Sequence, residues 1–334
     1  MRFLSALAIL LLASTLSASA QKSLDLTIDG VGLSIGDSEE VTGVRLNFRD
    51  SYLRRVDGIN ITIWSQHEPM SGTVNGLAIG LPITTARNIN GYGWGLFGVG
   101  AEENVKGILW GGLGAGAGQD AFGIISGGLG AGAGRDVKGI ISGGLGAGAG
   151  RDAYGIVTAG LGAGAGRDMK GIAVAGLGVG AGQDFAGIGV SGIGAGAGRD
   201  MKGILISGIG AGAGNDFAGI SVSGIATGAG GTLTGIHVAG LAVGAVDVRG
   251  LVVAGFAAGG EDVTGVALAG GNIRVKEGSQ RGFAMAASTL IQGKQEGLTI
   301  GIYNYARYLS GVQVGLINYA RNKDRFKVMP FLNF

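Results

Sequence analysis

Seven aspartates recur at one spacing: Asp120, Asp136, Asp152, Asp168, Asp184, Asp200 and Asp216, each sixteen residues after the last. Each closes a Gly-x-Gly-x-Asp string, as Gly148-Ala149-Gly150-Arg151-Asp152 does. A row of carboxylates on glycine-rich backbone is a donor set that calcium could use, because hard cations select oxygen ligands. Period and neighbours argue for another role. Nonapeptide calcium repeats place their carboxylates at multiples of nine, an apolar residue follows each Asp here, and Arg135, Arg151, Arg167 and Arg199 directly precede four of them. An adjacent guanidinium supplies the counter-charge a metal would bring. The expected role is a structural Asp/Arg ladder along a corner, and no metal site is assigned.

Other chemistry is sparse. The Gly-Ala-Gly-Ala-Gly runs match dinucleotide-binding glycine patterns formally, but they lack the long helix, Lys-Ser/Thr or distal acid that phosphate binding needs. The two histidines, His67 and His237, fall in different parts of the chain, and His237 is expected on the surface. Asp57, His67 and Glu68 form a minor candidate for hydrolysis. Thr158, Thr227, Thr232 and Thr234 do not form the regular threonine ladder an ice-binding face wants. No catalytic residue and no cofactor is assigned. With no cysteine, disulfides and thiolate metal sites are absent. A net charge of +2 is too small to indicate nucleic acid.

The elements that carry these residues are repeats. Eight blocks of sixteen, over 107–234, follow Gly-Ile-x-x-small-Gly-Leu-Gly-Ala-Gly-Ala-Gly-x-Asp-x-x. A period this short means that each block buries its apolar face only against its neighbours. Alternation through Leu145, Ala147 and Ala149 predicts one strand; Gly171-Ile172-Ala173-Val174 begins a second. Bends are expected at Ala175-Gly176 and at Gly150-Arg151-Asp152, where glycine accepts positive φ and Asp forms Asx turns. Two strands and two corners make one turn of a flattened parallel β-solenoid. Ile172 and Leu177, near-invariant large residues, are expected to point inward.

Divergent copies flank the array over 21–106, opening at Gly43, Gly58, Gly76 and Gly91, and over 235–334. Both flanks are read as caps, since an uncapped stack exposes strand edges. Residues 1–20, with Arg2, an apolar run and Ala18-Ser19-Ala20, fit a secretory signal peptide. The C-terminal part is rich in lysine and arginine, a solvated cap or a contact for an anionic membrane.

An antiparallel meander, closed as an outer-membrane barrel, is the alternative fold. It would explain a thirty-two-residue superperiod in Val137-Lys138, Ala153-Tyr154, Met169-Lys170 and Phe185-Ala186, and the alternation of Phe326, Val328, Leu332 and Phe334. The strands lack a polar lumen face and aromatic girdles, which favours the solenoid. In a solenoid Asp152 and Asp168 neighbour each other; in a meander they stand at opposite ends of a strand.

The stretches Gly297–Arg307 and Gly311–Arg321 read GLTIGIYNYAR and GVQVGLINYAR. They resemble bacterial surface repeat-containing proteins built on Gly-φ-x-φ-Gly-φ-x-Asn-x-Ala units, with Asn304 and Asn318 at the asparagine position. The match covers about the last forty residues. The resemblance implies an exported, surface-associated repeat protein and no activity. Together these features predict a non-enzymatic structural or adhesive protein of a Gram-negative-type envelope, at the cell surface, outer membrane or periplasm. Its partners are unassigned beyond outer-membrane or other envelope components, and a porin-like barrel is the rival.

Overall fold

A computed structural model describes residues 23–66 and 69–334. The signal peptide read at 1–20 lies outside the described residues, as do His67 and Glu68. Every regular element described is a β-strand. The chain divides into two compact units, Met1–Gly128 and Leu129–Phe334, and each is a parallel β-solenoid.

In the second unit the strand Ala153–Ala159 pairs in parallel with Met169–Ala175. Ile140 stands beside Ile156, and Ile156 beside Ile172. The short strand Gly162–Ala165 pairs in the same way with Gly178–Ala181. The first unit repeats the arrangement at looser spacing, with Gly43, Gly58, Gly76, Gly91, Gly107 and Gly123 aligned in turn. Among the described residues, antiparallel pairing occurs only where Ser23–Ile28 lies on Val31–Gly36 and where Val328–Asn333 lies on Val312–Ala320. An outer-membrane barrel needs antiparallel neighbours throughout, so the barrel alternative is overturned.

The first glycine of each block sets the path of the coil. Gly155 has φ +128° and Gly171 φ +132°, and a Cβ on Gly171 would lie 2.0 Å from the Gly155 carbonyl oxygen. Only glycine fits so close an approach in that conformation. The positive φ expected at the Gly-Arg-Asp corner thus falls inside the longer strand instead. Burial changes phase there: Ala153 and Val157 face in, while Tyr154, Gly155 and Ile156 do not. The strand bends at the glycine, a third turning point beside Gly160-Leu161 and the Gly166-Arg167-Asp168 corner.

That phase change overturns the expected core. Ile172 is 39% exposed and Leu177 46%. The inward residues of the same coil are Met169, Ala173, Ala175, Val179 and Ala181. A narrow coil with alanine on one wall has no room for a continuous ladder of isoleucine and leucine as well. Its inward positions vary in size from coil to coil, and a large residue in one coil can fill space left by a small one in the next, as Leu205 does beside Gly189. Val137 accompanies Ile141, Ala153 accompanies Val157, Met169 accompanies Ala173, and Phe185 accompanies Gly189. A Cβ on Gly189 would meet Leu205 Cδ2 at 2.6 Å and Phe185 Cζ at 3.2 Å. Such close packing penalises added as well as deleted volume.

The superperiod follows from the same stacking. One residue of each corner pair fills the core, and the other forms an outer row in which cations alternate with neutral side chains: Lys138, Tyr154, Lys170, Ala186, Lys202, Ala218. Lys138 and Lys170 bracket the Tyr154 ring, 5.9 and 5.5 Å from its centroid. Like charges are held two coils apart, about 9.6 Å at strand spacing.

Two glycine substitutions check this account. Gly171→Ala, which forces a Cβ onto the Gly155 carbonyl, should lower stability by more than about 2 kcal/mol. Gly162→Ala, where a Cβ meets nothing within 4 Å, should be neutral or stabilise by up to about 1 kcal/mol. Denaturant melts of the two variants that coincide would contradict it.

Candidate functional site

The recurring aspartates form one line along a corner, as the solenoid requires. Asp168 N–H donates to Asp152 Oδ1 at 3.3 Å, Asp184 N–H to Asp168 Oδ1 at 3.4 Å, and Asp200 N–H to Asp184 Oδ1 at 3.3 Å. Three of the arginines that precede an Asp reach back one coil. Arg151 donates from Nε and Nη2 to Asp136 at 2.8 and 2.6 Å, and Arg167 and Arg199 hold Asp152 and Asp184 in the same two-pronged manner. Asn215 replaces the guanidinium opposite Asp200, 3.0 Å from its carboxylate. Hydrogen bonds from these arginines hold the Asp136, Asp152 and Asp184 carboxyls below the ordinary value of 3.8, against some desolvation. Their oxygens are aimed at guanidinium and backbone donors, the geometry of a corner clamp.

The histidine expected on the surface is in the core. His237 is fully buried, at the inward position that Leu205 and Ser221 take in the two preceding coils. Its Nδ1 lies 2.9 Å from Ser221 Oγ, which also donates to Thr227 Oγ1 at 3.1 Å, and its ring packs edge-on to Phe217 at 4.9 Å. Val252 and Leu251 follow in the next coil with the same alternation of inner and outer residues. The sixteen-residue spacing of Ser221 and His237 was the available signal. Its meaning depends on knowing which face is inside. Ser221 and His237 are both wholly buried, and their contact pairs Nδ1 with the hydroxyl inside the core while, among the described residues, Nε2 is left without a partner. Burial pushes the imidazole below its ordinary 6.5, opposed by a backbone hydrogen bond involving Thr234.

A second buried polar group in the first unit carried no sequence signal. Arg45 is fully buried, with Asp50 and Asp37 as its ion partners and Asn60 Oδ1 at 3.1 Å. Asn47 and Gln66 also donate to Asp50. The cluster is matched through both terminal nitrogens of Arg45, while among the described residues its Nε is buried without a partner. Asp57, from the minor hydrolytic candidate, is instead partly exposed and held by Asn75 Nδ2 at 2.7 Å and by Arg55. Those two bonds, Asn75 first, keep its carboxyl below the usual value. Its proposed companions His67 and Glu68 lie outside the described residues.

The asparagines of the C-terminal copies also point inward. Through successive strand pairs Asn318, Asn304, Thr289, Ile273, Ala258 and Val243 share one register. The same register continues back to Thr227 and Ala211. Asn304 therefore occupies the site of an inward alanine of the central blocks. Its Nδ2 donates to Asn318 Oδ1 at 2.8 Å and to the Val314 carbonyl at 3.0 Å, while Thr289 Oγ1 donates to its Oδ1 at 2.7 Å.

The outside of the central coils is where apolar chemistry is displayed. Ile156, Ile172, Ile188 and Ile220 form one outward row, Val174, Ile206 and Val222 a second, and Leu145, Leu161, Leu177 and Ile193 a third at the bend. Among the described residues no group of three or more His, Cys, Asp or Glu side chains could hold a metal ion. Comparison with protein-family models, curated proteins and solved structures finds no match to this chain.

Titration tests the buried histidine. The folded state disfavours imidazolium, so below about pH 6.5 the unfolded chain binds more protons than the folded one. This contribution to stability is complete above that pH and declines as pH falls, whereas the clamped aspartates persist until below about 4. The melting temperature should fall between pH 7 and pH 5, and His237→Leu should remove most of that fall. An equal fall in both proteins would contradict the assignment.

Proposed function

We propose that this chain is an exported, non-enzymatic structural or adhesive repeat protein of a bacterial envelope that works through its outward apolar ladders. The observation that carries this reading is the row from Ile140 to Val266. It holds nine equivalent apolar residues on successive coils and runs for about 38 Å at strand spacing. With the parallel rows at Val174 and Leu177, it exceeds the isolated apolar residues that any protein surface carries, and surfaces of this kind are interaction sites.

Two sequence features support the location: the signal-peptide pattern of residues 1–20, and the resemblance of Gly297–Arg321 to bacterial surface repeat proteins. The chemistry supports the absence of catalysis. Among the described residues the serine–histidine contact is sealed in the core, and Asp136, Asp152 and Asp184 are spent on arginines of the next coil. A rigid coil stack with repeated outer rows suits binding that is distributed along its length rather than concentrated in a pocket.

Fractionation with a ladder variant tests this reading. The natural chain should sediment with the envelope fraction. After a high-salt wash, which weakens charge-dependent contacts, the natural chain should stay with the envelope, while the triple variant Ile156→Thr, Ile172→Thr, Ile188→Thr should keep its strand circular dichroism, since these side chains face outward, yet shift largely to the soluble fraction. Recovery of the natural chain in the cytosol, or retention of a folded triple variant at the natural level, would overturn it.

A further inference from the structure

The hairpin that ends the second unit differs from the rest of its surface. Its strands Val312–Ala320 and Val328–Asn333 are joined by residues 321–327, which hold Arg321, Lys323, Arg325 and Lys327 against Asp324 alone, a net +3. Among the described residues none of these four cations is ion-paired with a carboxylate. Phe326 stands among them, 75% exposed, and the strand that follows and the chain end add Phe331 and Phe334, at 72 and 73%, with Leu316, Val328 and Leu332 also outward along the hairpin.

The backbone holds two of these rings out under strain. Phe326 has φ +59° and Phe331 φ +66°, and the only other such non-glycine residue described is Asp29. A bulky side chain in this region is an outlier that persists only where the surroundings impose it. Here the imposing contacts are visible. Ala320 N–H bonds to the Lys327 carbonyl at 2.8 Å, and Asn322 bonds in both directions to the Leu309 backbone at 3.0 and 3.1 Å. A register shift between Gly315 and Asn318 faces Phe331 and Met329. The loop is thus an ordered platform that carries the four cations and Phe326, with Phe331 in the strand that follows.

We propose that this hairpin docks the protein on an anionic lipid surface, the phenylalanine rings entering the headgroup region and the four cations pairing with lipid phosphates. Interleaved aromatic and basic side chains are the composition that interfacial membrane binding requires. A second copy of this end is the wrong occupant for two reasons. Two +3 ends repel each other, and Pro330 removes a backbone donor from the outer strand, which guards an edge against strand addition.

The test is vesicle flotation of the full chain with pure phosphatidylcholine and with mixed phosphatidylcholine–phosphatidylglycerol vesicles. Binding should be at least about tenfold tighter to the mixed vesicles and should weaken as salt rises. Lys323→Glu, Arg325→Glu, Lys327→Glu should abolish the difference. Phe326→Asn with Phe331→Asn should weaken binding comparably while keeping the fold, because asparagine tolerates positive φ. The Ile156, Ile172 and Ile188 ladder variant should bind vesicles like the natural chain, which separates this surface from the lateral one. Equal binding to both vesicle types, no binding to either, full binding by a folded Phe→Asn variant, or loss only in the ladder variant would each overturn the proposal.

Discussion

The carbonyl oxygen of one glycine lies where the Cβ of the next coil's equivalent residue would stand, and the rest of the molecule depends on that contact. At Gly203 a Cβ would sit 2.0 Å from the Gly187 oxygen, and at Gly219 1.9 Å from that of Gly203. Because the contact recurs in nearly every coil, it fixes both the strand bend and the parallel register. Parallel register then places like on like: aspartate above aspartate, inward methionine or phenylalanine above its counterpart, cation beside tyrosine or alanine. The arginine that reaches back to the preceding coil's carboxylate is a consequence, since its partner lies within reach only at this translation.

Filling so narrow an interior is a matter of shape before hydrophobicity. The inward positions vary in size, Phe185 beside Gly189 but Met201 beside Leu205, and several of the polar residues that enter are paired, as Ser221 with His237 and Asn304 with Asn318. The constant isoleucines and leucines show no such variation, and nothing within the chain confines them. Invariant isoleucines and leucines here mark the outer surface, whereas the core holds a largely constant alanine wall and positions that vary in size.

This contrast explains what could be seen in the residues alone. Period, strand content, corner positions and the Asp/Arg ladder were legible, because a sixteen-residue translation and turn chemistry are local properties. The face that each strand buries was not. Ile172 and Ala173 are both apolar, so alternation along the strand has two acceptable phases, and the phase is decided by a bend at Gly171 whose positive φ composition alone does not display. The burial of His237 was lost with the same ambiguity. At the C-terminal hairpin the aromatic alternation suggested a last barrel strand; the exposed Phe326 and Phe331 instead follow from local backbone geometry.

Because the chain has no cysteine of its own, paired cysteines report the central claim directly. In-register neighbours stand about 4.8 Å apart, within disulfide reach, whereas residues two coils apart stand about 9.6 Å apart, beyond it. Ile156→Cys with Ile172→Cys should oxidise to an intramolecular disulfide in the native protein, seen as a mass loss of two hydrogens. Ile156→Cys with Ile188→Cys should remain reduced under the same mild oxidant. A disulfide in the second pair, or two free thiols in the first, would contradict parallel stacking at a sixteen-residue translation.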